Sequence, residues 1–283
     1  NPEVIFAEKY DYDEGKSHQW DALAQPSGFG FNWSSNYTVY LETLEQFDFT
    51  DGTSGMLDRS IYDDATEIDP NWFFEMRDPR MKASIFYPGS SFKGGTVHFH
   101  RSMSGSLSGW PRTGPSKHIG SMATGLLIRK RTNPETPDAT RSSTDYIIFR
   151  LGEIILNYVE AAFYLNDPNG DMLANLNNLR DRAGMPSLSI GQVSQDKIRQ
   201  ERRCELAFEE HTFWDLRRWR IAVEELDNKQ RHRLHYRYNA NTKKYTIEMA
   251  PGDLGGVRLH PPRNYYYALG LSSLADNPKL IEN

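Results

Sequence analysis

One stretch constrains this chain more than any other: residues 146–228, where apolar residues recur at helical spacing between the densest charges of the sequence. Ile147, Leu151, Ile154, Ile155, Tyr158, Ala162 and Leu165 fall three and four apart, which predicts one apolar face of a long helix. Asp167-Pro168-Asn169-Gly170 ends it, because proline cannot continue a helix and Asn-Gly is turn chemistry. Leu173, Leu176 and Leu179 mark a second helix stopping at Gly184, where glycine suits a left-handed cap and Pro186 blocks resumption. Joined in this way, the two helices are expected to form an antiparallel hairpin.

A third helical segment is expected from an N-cap at Ser194 or Asp196, bending near His211-Thr212. Arg199, Arg202, Arg203, Arg217, Arg218 and Arg220 alternate there with Glu201, Glu205, Glu209, Glu210 and Asp215, and with Ile198, Leu206, Phe208, Phe213, Trp214, Leu216 and Trp219. Glu160, Glu201, Glu205 and Glu209 invite a di-metal bundle, but that needs Glu-x-x-His pairs, and Phe208 stands three before His211. Arg–carboxylate forks tying helices together are the favoured reading, since guanidinium and carboxylate satisfy each other when partly buried. Cys204, the single cysteine, excludes an intrachain disulfide and a cysteine-rich zinc site, and is expected to pack rather than react.

At 283 residues the chain is long enough for an ample core. Its net charge of -5 argues against a nucleic-acid footprint, which needs a basic stripe. No apolar run approaches the roughly 20 residues that span a bilayer, and no signal peptide opens the sequence. No cofactor is expected, because neither a nucleophile elbow nor a phosphate loop is present.

Residues 1–145 hold 13 of the 21 glycines and 9 of the 15 prolines, so that part should be loop-rich with short helices and strands. It also holds Trp20, Trp33, Trp72 and Trp110 in polar, turn-rich surroundings, whereas Trp214 and Trp219 fall on an amphipathic segment and are expected in the core. Residues 17–40 combine aromatics with Gly, Ser and Asn, which is what a neutral sugar needs: flat faces to stack on and partners for its hydroxyls. A ring covering about 60 Å² of sugar contributes roughly 1.5 kcal/mol, so several rings are required. The same aromatics could instead pack an irregular domain. Residues 102–121, with Trp110 and Arg112, form a long Ser/Gly-rich loop and a second candidate for ligand contact.

The acidic run of Asp58, Asp63, Asp64, Glu67 and Asp69 lacks the EF-hand order, as does Asp11-Tyr12-Asp13-Glu14-Gly15, and reads as a solvated face. Residues 96–100 alternate like a strand and put His98 and His100 on one side, a weak zinc signal without a third ligand. The basic cluster at residues 229–237, followed by turn-forming residues 239–242, predicts a surface hairpin.

Several pieces of the sequence, in order, resemble one family. EVIFA near the start, FDFTDG from Phe47, RDPRMKASIFYPG from Arg77, RLGEIILNYVEA from Arg150, LNNLRDRAGMP from Leu176, ERRCELAFEEHTFWDLRRW from Glu201 and the closing DNPKLIEN are similar to the C-terminal region of the SusD/RagB family, nutrient-binding lipoproteins of Bacteroidetes. The resemblance implies a mainly α fold: the C-terminal part of a tetratricopeptide-type helical scaffold with a loop-rich, ligand-facing portion. It divides the chain into a ligand-facing part (1–145), helical hairpins (146–228) and a hairpin with a tail (229–283). It also implies a longer protein whose N-terminal helical repeats and lipid anchor precede Asn1, so that this piece should expose apolar surface, self-associate or be marginally stable.

By that resemblance the chain is expected to bind oligosaccharide or polysaccharide at the cell surface without chemistry. The full-length protein would sit lipid-anchored in the outer membrane and deliver its ligand to a SusC-like TonB-dependent transporter. Trp20, Trp33, Tyr37 and Trp110 are the expected stacking platforms, with Asn36 and Arg112 as hydroxyl partners. Binding of peptides by the same scaffold is one alternative. An all-α glycoside hydrolase is the other, with Asp21 and the acidic residues 58–69 as the source of a carboxylate pair.

Overall fold

The computed structural model of the chain describes residues 2–29, 31, 36–63, 65–102, 117–118, 124–167, 169–252, 256–266, 269–277 and 279. In chain order the helices are α1 (Trp20–Ala24), α2 (Leu41–Leu44), α3 (Pro79–Ser84), α4 (Leu151–Tyr164), α5 (Met172–Arg182), α6 (Gln195–Glu205), α7 (His211–Arg218), α8 (Ala222–Leu226) and α9 (Leu271–Asp276). The strands are β1 (Val4–Glu8), β2 (Glu67–Ile68), β3 (Ile85–Phe86), β4 (Ser91–Phe92), β5 (Gly95–His98), β6 (His100–Ser102), β7 (Lys117–His118), β8 (Leu127–Ile128), β9 (Tyr146–Arg150), β10 (His232–Asn239) and β11 (Lys244–Pro251). Helix outweighs strand, as the mainly α reading requires.

Two core clusters fix the path of α4 and α5. Val159 and Ala162 meet Met172, Leu176 and Ile198, while Leu156 meets Leu179 and Leu206. Contacts that step backward on α4 step forward on α5, so the helices are antiparallel. Gly184 closes α5 with φ +77, the left-handed cap that glycine adopts without strain. Ser194 caps α6 by accepting a 3.1 Å bond from the Lys197 amide.

Four expectations are corrected here. Residues 146–150 are strand β9, paired antiparallel with β1 through Phe6 and Phe149, so α4 starts only at Leu151. A β-branched, aromatic run took a distant partner that helical spacing cannot reveal. The buried face of α4 is Gly152, Glu153, Leu156, Val159 and Ala162, while Leu151, Ile154 and Leu165 are exposed. This helix is apolar on two sides, and packing against α5 and α6 chose between them. The charged segment breaks rather than bends: Phe208 and Glu210 are left-handed, at φ 59 and 69, and separate α6 from α7. Trp214 is 56% exposed, whereas Trp219 is buried, donating Nε1–H to Glu160 at 2.8 Å.

The main core joins the first half of the chain to the late hairpin. β10 and β11 pair from His232–Pro251 to Asn239–Lys244 and occupy the centre of a four-stranded sheet ordered β2-β11-β10-β6. Leu234, Tyr236, Tyr245 and Ile247 pack with Phe73, Phe74 and Phe86. The hairpin is thus a core element rather than a surface one. His98 and His100 belong to different sheets: β5 pairs with β4 and β7, β6 with β10. Phe99 separates the two strands, so residues 96–100 are not one continuous strand.

Arg77 explains the FDFTDG and RDPRM motifs together. Its side chain is fully buried, donating to the carbonyls of Phe73 (2.8 Å), Phe47 (3.0 Å) and Gly55 (2.9 Å) and lying 4.6 Å over the Phe49 ring. Burial pushes its guanidinium down to about 10. Asp48 accepts from the Gly55 amide at 3.0 Å and pairs with Lys197 at 2.5 Å, tying this loop to α6. Gly55 has no room for a side chain, since a Cβ would stand 2.2 Å from the Phe47 carbonyl oxygen.

Glu205 is the centre of the ion network. Its carboxylate takes Arg150 at 2.7 Å, Arg80 at 3.0 Å and Arg182. Glu201 binds Arg80 at 2.6 Å and Arg180 at 2.7 Å, and Glu209 binds Arg150 at 2.7 Å and Lys130 at 2.5 Å. Glu160 is held by Arg218 at 2.6 Å. The four carboxylates offered for a di-metal site are therefore each saturated by guanidinium or ammonium groups. Cys204 is buried beside them, donating Sγ–H to the Gln46 carbonyl at 3.1 Å, and burial pushes its thiol up.

Burial disfavours the Glu205 carboxylate, but the Arg150, Arg80 and Arg182 guanidinium groups outweigh it and hold its pKa at about 2, below the ordinary 4.5. A depressed folded pKa contributes stability that is present above pH 4.5 and lost as pH falls toward 2. Glu205→Gln is expected to cost about 3–5 kcal/mol at neutral pH, because it leaves buried cations uncompensated, and to flatten the acid limb of stability. Urea unfolding at pH 7 and pH 3 checks both. Gly55→Ala is expected to cost about 1–3 kcal/mol by the same measurement, because the added carbon overfills the loop.

Candidate ligand cleft

The sequence positions the candidate cleft through α1. Asp21 is completely buried and accepts from the Asn133 amide at 2.6 Å and the Thr136 hydroxyl at 3.5 Å, clamping α1 to the segment after β8. Trp20 then donates Nε1–H to the Lys130 carbonyl at 3.2 Å. Tyr37 is held by its carbonyl, which accepts from the Ile128 amide at 3.0 Å. The two rings stack with centroids 5.0 Å apart and planes 19° from parallel. Such an offset pair contributes about 0.5–1.5 kcal/mol beyond burial.

Arg131 completes the group. Its guanidinium lies 4.2 Å over the Trp20 ring and 4.8 Å over Tyr146. Its backbone is left-handed at φ 67, a conformation costing about 1–2 kcal/mol for a side chain of this kind. The preceding Lys130 turns the other way, into the network, binding Glu209 and the Glu205 carbonyl at 3.1 Å. Adjacent cations therefore serve the scaffold and the cleft.

The cleft holds about 900 Å³ and is walled by the Trp20–Tyr37 pair, Tyr40 at the start of α2 and Glu42 within it, Phe208, Glu210 and Phe213 in and before α7, and the returning segment Arg258, Leu259 and His260. Tyr37 is 36% exposed and Phe213 44% exposed, so ring surface remains available. Glu210 accepts the Tyr146 hydroxyl at 2.6 Å. Arg131, Phe208 and Glu210 are all left-handed, so backbone strain gathers around this cleft, as it does at functional sites.

Of the residues expected to contact ligand, the fold brings Trp20 and Tyr37 together here. Trp20 is not a free platform: its ring already engages Tyr37 and Arg131. Asn36 is exposed beside Tyr37 but is not part of the cleft wall. Trp33, Trp110 and Arg112 lie outside the described residues. Sequence reading missed Arg131, Phe213 and His260; the run Arg129-Lys130-Arg131 was the one available signal, and it says nothing of which cation turns toward the cleft.

Of the carboxylates offered for hydrolysis, Asp64 lies outside the described residues, and four of the others have other work. Asp21 is buried in its clamp, and Asp58, Asp63 and Asp69 accept backbone amides of Ser60 (2.8 Å), Ala65 (2.9 Å) and Asn71 (2.8 Å) as turn caps. The Ser60 hydroxyl and amide hold the Asp58 carboxyl below its usual range, and the Thr66 and Ala65 amides do the same for Asp63.

The model of the SusD family matches residues 2–283. A SusD-like protein of Bacteroides fragilis has the same fold with a TM-score of 0.72 at 25% identity, covering 100% of this chain and 54% of its own. A SusD-like carbohydrate binding protein of the same species gives 0.71 at 22% identity, covering 98% of this chain and 54% of its own. The SusD-like protein P2 of Formosa agariphila is 32% identical over 93 residues, which is 29% of this chain and 18% of that protein. The chain thus spans about half the length of these solved relatives.

Proposed function

This chain belongs to the SusD family, and from that premise we propose that it is a non-catalytic carbohydrate-binding protein whose ligand lies in the cleft beside Trp20 and Tyr37. The observation that carries the reading is the fixed Trp20–Tyr37–Arg131 stack opening onto a cleft of about 900 Å³ with exposed ring surface at Tyr37 and Phe213. Flat faces rimmed by hydrogen-bonding groups suit a pyranose ring, whose carbon–hydrogen face is apolar and whose edge is polar. One relative of the same fold is named for carbohydrate binding. The absence of chemistry in the proposal is supported by Asp21, buried and bonded within the scaffold rather than facing the cleft.

The proposal extends, by family, to a cell-surface protein anchored by lipid in the outer membrane that hands oligosaccharide to a SusC-like TonB-dependent transporter. Trp33 and Trp110 remain proposed stacking platforms, and Asn36 and Arg112 proposed hydroxyl partners, on the strength of the sequence.

Affinity electrophoresis over gels cast with a panel of polysaccharides tests the reading. Tyr37→Ala and Phe213→Ala are each expected to weaken retention about tenfold, the equivalent of roughly 1.4 kcal/mol and close to one ring's worth of sugar contact. Retention that survives both substitutions places the ligand elsewhere. Failure of every polysaccharide, with capture of peptides instead, replaces the glycan reading.

A further inference from the structure

The charge of the cleft opposes that of the chain. Among the described residues, five cationic side chains, Arg131, Arg203, Lys229, Arg231 and Arg258, line it against three carboxylates, Glu42, Glu210 and Glu225, in a chain whose net charge is -5. Those carboxylates are already engaged. Glu42 accepts the His232 amide at 3.1 Å, Glu225 pairs with Arg203, and Glu210 takes the Tyr146 hydroxyl at 2.6 Å.

Arg131, Lys229 and Arg231 are less well matched. Arg131 has Glu210 at 3.8 Å, beyond hydrogen-bond distance, and its Nε is buried with no partner. Lys229 is exposed and makes no ion pair among the described residues, and Arg231 donates to a backbone carbonyl, that of Glu225, rather than to a carboxylate. His260, on the same wall, leaves Nε2 without a partner. A walled cleft with surplus cations concentrates anions and repels cations, the more so in a chain that is otherwise acidic.

We infer that the cleft takes an acidic glycan, a pyranose chain bearing carboxylate or sulfate groups, with Arg131 and Lys229 meeting the anionic substituents while Tyr37 and Phe213 meet the sugar faces. This rests on the carbohydrate reading above and narrows it. Arg131 suits the role because two rings fix its planar guanidinium before ligand arrives, so little side-chain entropy is lost on binding. Carboxylate and sulfate oxyanions share this chemistry, and the experiment separates them.

The chain is run through gels containing dextran, polygalacturonate or dextran sulfate, at roughly 20 and 200 mM salt. Retention on polygalacturonate or on dextran sulfate, weakened at the higher salt and at least about tenfold in R131Q and K229Q, is the expected result and identifies the oxyanion. K244Q removes an exposed cation on the hairpin outside the cleft and is expected to leave retention unchanged. Lys229 is exposed, so K229Q reads the charge even where R131Q perturbs folding. Equal loss in K244Q marks diffuse adsorption and overturns the inference. Retention on dextran alone overturns the acidic ligand but leaves the carbohydrate reading standing, and retention on none of the three, nor on any other polysaccharide, overturns both.

Discussion

Everything else in this protein hangs on the carboxylate of Glu205. Three guanidinium groups converge on it from Arg80 of α3, Arg150 at the junction of β9 and α4, and Arg182 of α5. Each cation comes from a different element, so one buried charge on α6 sets the mutual positions of α3, α4 and α5. Such a cluster is costly to desolvate and holds only because nearly every lone pair and N–H finds a partner. Its benefit is geometric: short ion pairs fix register in places where apolar packing alone would let elements slide.

The cleft inherits its rigidity from that cluster. Lys130 is drawn in by Glu209 and the Glu205 carbonyl, and this orients the next residue, Arg131, against Trp20 and Tyr146. Trp20 is set in turn by Asp21, whose carboxylate is buried against the Asn133 amide. Helix α7 starts only after the left-handed Glu210, and its Phe213 lines the cleft. Pre-organised aromatic and cationic groups around one cleft are what low-entropy recognition of a stiff, polar ligand requires. The left-handed backbone at Arg131, Phe208 and Glu210 is a cost that the scaffold beneath must offset.

Six of the apolar residues left outside lie on adjoining elements. Ile5 and Phe6 of β1, Ile148 and Phe149 of β9, and Leu151 and Ile154 of α4 are all at least one-third exposed, and β1, β9 and α4 follow one another in space through the β1–β9 pairing and the continuous chain at Arg150. This second apolar side of α4 is why its periodicity admitted two faces. The relatives with the same fold are nearly twice as long as this chain.

By itself the sequence determined the hairpin of α4 and α5, the start of α6 near Ser194 or Asp196, the stop at Gly184, the Arg–carboxylate character of the charged helices and the SusD family. Each of these is local, or is a motif read in order along the chain: turn chemistry, helical spacing and capping need no knowledge of distant residues. Tertiary structure alone decided which side of α4 is buried, that residues 146–150 pair with residues 4–8, that the basic hairpin enters the core, and which of two adjacent cations faces the cleft. Those outcomes depend on contacts between segments distant in sequence, as between β1 and β9. Trp20 and Tyr37 were legible as aromatics in a polar segment, but their mutual stacking and the approach of Arg131 were not. The reason is physical: spacing along a chain fixes which faces an element has, and only packing fixes which neighbours those faces meet.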